Sequence, residues 1–282
     1  MDYQIRNFIL DADTLVYSAG FIAEKKLLDD PDFSPESARV VLSNMVLNIF
    51  TNLGRCLKQD LAPRALAKSG QLRMFLTAND GLNFRYKVAT LKPYKANRAD
   101  KPRPFYYNDF RDFLTETYRA KVVSGYEADD AIGIRVADLR APQNTIVIAQ
   151  DKDMRQLPCW HYWYSSTDNY PKKPFYVEPT GNLQLERSNA GQLEVYATGN
   201  HQIAYQMLAG DTSDNIPSIS RGWGPMKCYE YLRTCPRSVC PIDYAFEAYE
   251  KEYGEKEGAK RADEVYNLVK LLDKEPENAT ED

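Results

Sequence analysis

Five short acidic clusters punctuate the first 214 residues: Asp11 with Asp13, Asp80, Glu127 with Asp129 and Asp130, Asp151 with Asp153, and Asp211 with Asp214. Carboxylates gathered in one place repel each other. A fold that collects them needs counter-charge, and hard divalent cations such as Mg²⁺ or Mn²⁺ supply it through oxygen ligands. The flanking residues suggest how the collection happens. Phe8–Leu10 runs into Asp11, Met74–Thr77 leads to Asp80, and Thr145–Ala149 leads to Asp151. Each reads as a buried strand with a carboxylate just past its C-terminal end.

Helical stretches lie between these strands. Ser34 caps a helix that has Pro35 in its first position and an apolar stripe from Val40 to Leu47. Asn108–Tyr118 and Glu127–Leu139 read as helices, and Lys121–Val123 as a further strand. Alternating strands and helices imply an α/β fold with a mostly parallel sheet, and ligands of such sheets bind at the carboxyl ends of the strands. Asp11, Asp80 and Asp151 are therefore expected on one edge. Downstream, Pro179–Asn182 reads as a hairpin turn between Phe175–Glu178 and Leu183–Glu186. His201–Leu208 looks helical, as does a tail from Ala259 to Leu272.

Composition excludes more than it selects. A hydrophobic content of 43% and a charged content of 27% over 282 residues fit a globular protein with a sizeable core. The net charge of −4 argues mildly against a nucleic-acid partner. Local pattern outranks that figure when acid and base are segregated along the chain. The five cysteines form no CxxC pair, and only His161 and His201 could join them, so zinc is not expected and a reducing cytoplasm is. No signal-peptide core and no apolar stretch of membrane-spanning length is read here.

The acids exceed what ordinary roles require. Negative charge at a helix start favours the macrodipole, which accounts for one or two of Glu127, Asp129 and Asp130 but not three within four residues. Asp151 and Asp153, at i and i+2 in extended backbone, face the same way. Asp211 and Asp214 precede Gly222–Trp223–Gly224–Pro225–Met226–Lys227, a glycine turn opening a helix expected to start at Lys227. Backbone amides in such a turn can approach a phosphate. Between the second and third clusters, Arg85, Lys87, Lys92, Lys95, Arg98, Lys101 and Arg103 are opposed only by Asp100 and interleaved with Tyr86 and Tyr94. Basic groups contact phosphate and aromatic faces stack on bases. Carboxylates for metal beside cations for phosphate point to phosphodiester hydrolysis.

Seven stretches in this order resemble the flap endonuclease / 5′→3′ exonuclease family, which includes the amino-terminal nuclease domain of bacterial DNA polymerase I and stand-alone phage exonucleases. They are Ile9–Asp13, Asn79–Arg85, Tyr94–Arg98, Gly125–Ile132, Gln150–Asp153, Leu208–Pro217 and Gly222–Lys227. The resemblance implies a PIN/5′-nuclease-like core over residues 1–190, with a mostly parallel central sheet flanked by helices. It implies a helical arch at about 86–124, and a helical-hairpin DNA-binding region with C-terminal helices over 191–282. It also implies two Mg²⁺ or Mn²⁺ ions. Asp11, Asp80, Glu127, Asp129 and Asp151 would serve the first, with Asp130 beside them; Asp153, Asp211 and Asp214 would serve the second. Lys95 and Arg98 would grip phosphate, joined by Arg85. Tyr94 would stack on a terminal base, and Lys92, Gly222, Gly224 and Lys227 would touch DNA, with a K⁺ ion at the hairpin. DNA with a 5′ end, nick or flap is the implied partner, and RNA–DNA hybrid a further one. Where the family usually has glycine after the first aspartate, this chain has Ala12.

Two rivals remain open at this level. Asp11–Ala12–Asp13–Thr14–Leu15 also resembles the nucleophile motif of haloacid-dehalogenase-like phosphatases, which leaves Glu127–Asp130 and the basic segment unexplained. A DNA-structure-binding protein without catalysis is the other.

Overall fold

The computed structural model describes residues 4–98, 102–164, 173–187 and 191–276, with Arg98 described by its backbone alone. Lys101 lies outside the described residues. The chain begins with β1 (Asn7–Asp11), α1 (Ala12–Asp29), α2 (Pro35–Leu57), α3 (Pro63–Ser69) and β2 (Leu72–Thr77). Then follow α4 (Arg85–Val88), α5 (Tyr107–Tyr118), β3 (Lys121–Val123), α6 (Ala128–Leu139), β4 (Thr145–Ile148), β5 (Trp160–Tyr162) and β6 (Phe175–Tyr176). The last third holds β7 (Leu183–Arg187), β8 (Leu193–Ala197), α7 (Gly199–Ala209), α8 (Pro225–Leu232), α9 (Pro241–Tyr253) and α10 (Glu255–Val269).

The six-stranded sheet runs β3-β2-β1-β4-β5-β6, parallel except for the edge strand β6. From β1 the chain steps outward through β2 to β3, then returns to place β4 on the other side of β1. This reversal makes the gap between the carboxyl ends of β1 and β4 the topological switch point, where open α/β sheets bind their ligands.

Side chains alternate across the central strands with the two-residue period of extended backbone. Phe8, Leu10, Ile146 and Ile148 face a core shared with α1, α2, α3 and α5. Ile9 and Val147 face the opposite core, shared with Ala131, Ile132 and Val136 of α6 and with Leu271. A third core joins α7, α8, α9 and α10 around Met207, Cys228, Ala248 and Val265, and takes in Tyr94.

Several expectations change. α5, within the segment expected as an arch, packs Tyr107, Phe110, Leu114 and Tyr118 into the first core. The hairpin is formed by β7 and β8, while Phe175 pairs with His161 of β5. α8 starts at Pro225 with Gly224 as its N-cap, and not at Lys227. Helix α9 carries no signal that was read in the sequence. α2, at 23 residues, is long and apolar enough to cross a membrane by length and composition. Its Leu42, Val46, Phe50 and Leu53 are buried in the first core, which explains that composition.

Candidate functional site

Asp11 ends β1 and caps α1, accepting hydrogen bonds from the Thr14 amide at 3.3 Å and from the Thr14 hydroxyl. Asp151 follows β4 and accepts from the Asp153 amide at 2.8 Å. Asp151 is itself extended, but it caps a 3-10 turn over Lys152–Gln156 that holds Asp153, so the two do not share one extended run. Glu127 caps α6 and Asp129 lies in its first turn, on the α6 side of the same edge.

These acids are near enough to feel one another's charge. Burial pushes the Asp11 carboxyl up to about 7, and repulsion from Asp13 and Asp151 adds to it. Burial followed by repulsion from Asp11, Asp151 and Glu127 holds the Asp129 carboxyl well above the ordinary range. Asp153 is likewise pushed up to about 7, by burial and then by Asp151. An all-oxygen, mutually repelling set is what a hard divalent cation would stabilise. Among the described residues no three of these carboxylates are yet grouped as one ligand set. Several of their oxygens accept from protein donors, among them one from Gln206, which donates to Asp153 at 2.7 Å.

The basic segment meets this edge through one side chain. The Lys95 ammonium pairs with Glu127 and lies 3.7 Å from Asp214. Lys95 is held there by its amide, which donates to the Asp214 carbonyl at 2.9 Å, and it adopts a left-handed backbone with φ of 52°. Asn97 and Asn215 tie the same segment to the 211–215 loop through the Thr212 and Pro93 carbonyls, at 2.7 and 2.8 Å. Lys152, between Asp151 and Asp153, reaches Asp211 at 2.8 Å. For Asp211 burial is outweighed by Lys152 and Ser213, and its carboxyl sits below the usual range.

Four expected site residues are engaged in other ways. Arg85 and Asp130 form a buried bidentate pair at 2.5 and 2.8 Å, 2% and 0% exposed. Arg85 also donates to the Leu268 and Lys270 carbonyls at 2.9 and 3.0 Å, so it fastens the C-terminal segment under α6. It is not a phosphate contact, and Asp130 is not an open ligand. Asp80 is exposed, accepting from Ser124 and the Leu82 amide at 2.6 and 2.8 Å. Those two bonds lower its carboxyl pKa, and no site carboxylate perturbs it. Tyr94 is buried; its hydroxyl lies 2.8 Å from Glu127 and 3.0 Å from Asp214, so its ring is not free to stack on a base. Lys92, Gly222, Gly224 and Lys227 are exposed, with the Lys227 ammonium 4.4 Å over the Trp223 ring.

Sequence reasoning placed Asp13 in an acidic cluster but in neither ion set, and passed over Thr77 and Gln206. Asp13 accepts from the Thr77 amide and hydroxyl at 3.1 and 2.6 Å. Its place in the first acidic cluster was the available signal; nothing in Thr77 or Gln206 announces a role.

A parallel sheet with acids at its switch point defines a class, the α/β proteins that bind metal or phosphate at the carboxyl ends of their strands. Comparison with known proteins narrows it. No family model matches the chain. It is 32% identical over 166 residues to the DNA polymerase I of Chloroflexus aurantiacus, a match that covers 57% of this chain but only 17% of that protein. Its fold is similar to that of the bacteriophage T5 flap endonuclease, solved as a pseudo-enzyme–product complex with DNA and metal ions. The TM-score is 0.53 at 16% identity, covering 94% of this chain and 89% of that one. A second structure of the T5 protein, co-crystallised with metal ions, gives a TM-score of 0.51 at 15% identity, covering 94% and 90%. The chain has the α/β fold of the flap endonucleases, and its sequence is similar to a small part of a DNA polymerase I.

Proposed function

We propose that this chain is a metal-dependent 5′→3′ exonuclease / flap endonuclease that hydrolyses DNA phosphodiester bonds. One observation carries the reading: Asp11 and Asp151 stand at the ends of β1 and β4 on the switch-point edge, near enough to Asp129 at the start of α6 to repel it, and Lys95 pairs with Glu127 beside them. Asp11, Glu127, Asp129 and Asp151 would hold one divalent ion; Asp153, Asp211 and Asp214 would hold a second. Bound there, Mg²⁺ or Mn²⁺ would supply a low-pKa water and charge stabilisation at the leaving oxygen.

The chain's own residues do the rest. Lys95 would exchange Glu127 for a substrate phosphate, and Arg98 ends the short 3-10 turn, Ala96–Arg98, that follows it. The exposed glycine turn Gly222–Gly224 leaves room for a DNA backbone, since a Cβ at either glycine would meet nothing within 4 Å. The proposal extends to a K⁺ ion at that turn, RNA–DNA hybrid as a further substrate, a monomeric state, cytoplasmic action, and a division of labour between residues 1–190 and 191–282. The phosphatase alternative gives Glu127, Asp129 and Lys95 no task.

The test is cleavage of 5′-labelled duplex, nicked and flapped DNA in Mg²⁺ and in EDTA. Metal-dependent release of short 5′ products is expected, and product length separates exonuclease from flap activity. DNA binding without cleavage in either Mg²⁺ or Mn²⁺ would replace the reading with a structure-binding role.

A further inference from the structure

We propose that Asp13 is a positioning residue for this site, acting through Thr77 on the first turn of α6; the kinetic arm of the proposal rests on the nuclease reading. β2 ends at Thr77, and the carboxylate that follows it, Asp80, is turned to Ser124 and Leu82. The tip of β2 therefore brings a hydroxyl to the site and no carboxylate. That hydroxyl sits between two partners on different elements. Asp13, on α1, accepts from it at 2.6 Å, and the Ala128 amide, on α6, donates to it at 2.9 Å.

The chemistry leaves one direction for this relay. An ionised carboxylate only accepts and an amide N–H only donates, so the single hydroxyl proton must point at Asp13 for a lone pair to face Ala128. Ala128 lies between Glu127 and Asp129, so the relay sets the height and tilt of the backbone that carries both. Asp13 is itself braced. The Thr77 amide donates to the same carboxylate oxygen at 3.1 Å. Arg111 of α5 lies 3.4 Å from the other oxygen and donates to the Thr77 carbonyl at 2.7 Å. Four segments, α1, β2, α5 and α6, thus meet at one threonine. Groups that orient metal-binding side chains from behind typically affect metal affinity or activity by about 10–100-fold when removed.

The experiment compares Asp13→Ala, Thr77→Val, the double variant and Thr77→Ser, each first shown to melt cooperatively. Thr77→Val keeps the branched shape and deletes the hydroxyl. If Asp13 works through Thr77, each single variant lowers kcat by about 10–100-fold with little change in KM. The double variant is then no worse than the poorer single one, because residues in one network are non-additive. Thr77→Ser restores cleavage. Two readouts need no turnover: amide exchange at Ala128 in EDTA, which should quicken in both single variants, and the number of Mn²⁺ ions bound by paramagnetic resonance, which should not fall. Loss of a bound Mn²⁺ in Asp13→Ala alone, or multiplying effects in the double variant, would make Asp13 a ligand and overturn the relay. Unchanged Ala128 exchange would overturn it too. A wild-type chain that fails to cleave would sink the nuclease reading alone, with the exchange measurement still deciding the role of Asp13.

Discussion

Replacing Arg85 with methionine separates two roles that the basic segment could give this residue. Its guanidinium makes two bonds to Asp130 and one each to the Leu268 and Lys270 carbonyls, in a site where neither charged partner sees solvent. In Arg85→Met the methionine fills much of the volume, but the Asp130 carboxylate keeps only the Glu127 and Leu272 amides, each at 3.1 Å. Breaking a buried pair by removing one partner costs about 3–5 kcal/mol, because a charge is left uncompensated. For a chain of this size each kcal/mol is about 2 °C in melting temperature, so the expected fall is about 6–10 °C. Adding Asp130→Leu should recover about half of it, since the double change removes both charges. The assay is thermal unfolding by circular dichroism beside DNA cleavage well below the melting point, where kcat should stay within a few-fold of wild type. A fall under about 2 °C together with cleavage a hundredfold slower would refute the structural assignment and return Arg85 to the phosphate.

The remaining expectations concern the acids. Asp151→Asn should cripple cleavage and leave DNA binding largely intact, while the exposed Asp80→Asn should cleave at close to the wild-type rate; equal loss in both would restore Asp80 to the ligand set. Saturating Mg²⁺ should raise the melting temperature, by about 2.7 kcal/mol of stability at a hundred times Kd, and Asp129→Asn should shrink that increment. In EDTA, stability should rise as pH falls from 8 toward 6.5. Asp11 and Asp153, pushed up to about 7 from 3.8, take up protons in the native state before the unfolded chain does. Below 6.5 the climb should become shallower, because burial holds His161 down to about 4 and the proton that the unfolded chain takes up there offsets one of those held by the native acids. A stability that climbs steadily from pH 6 to 8 without metal would show that the site acids are not raised.

Legibility tracked the range of the interaction. Asp11, Asp151 and the start of α6 were readable because a short apolar run and the residue that follows it are neighbours in the chain. α2 announced itself through Ser34, whose hydroxyl oxygen accepts from the Ser37 amide at 3.2 Å. The burial of α5 was harder to read because charges at Asp109, Arg111 and Asp112 are interleaved with its buried Phe110 and Leu114. Tyr94 looked like a stacking ring since its sequence neighbours are basic; the cover that buries it comes from α7–α10, more than a hundred residues later.

By itself, the sequence determined a parallel α/β sheet, the strands that end in acid, and a segment of cations beside them. Periodicity and charge order are local properties, so they survive without coordinates. Tertiary structure alone decided which charges face the site. Asp130 and Asp129 are adjacent and alike in sequence, yet one is cancelled by Arg85, 45 positions away, and the other repels Asp11 and Asp151 across the edge. Glu264 likewise holds Thr90, 174 positions away, in the segment leading to Lys95. Such choices turn on which partner arrives in space, and a carboxylate carries no mark of its partner until the chain has folded.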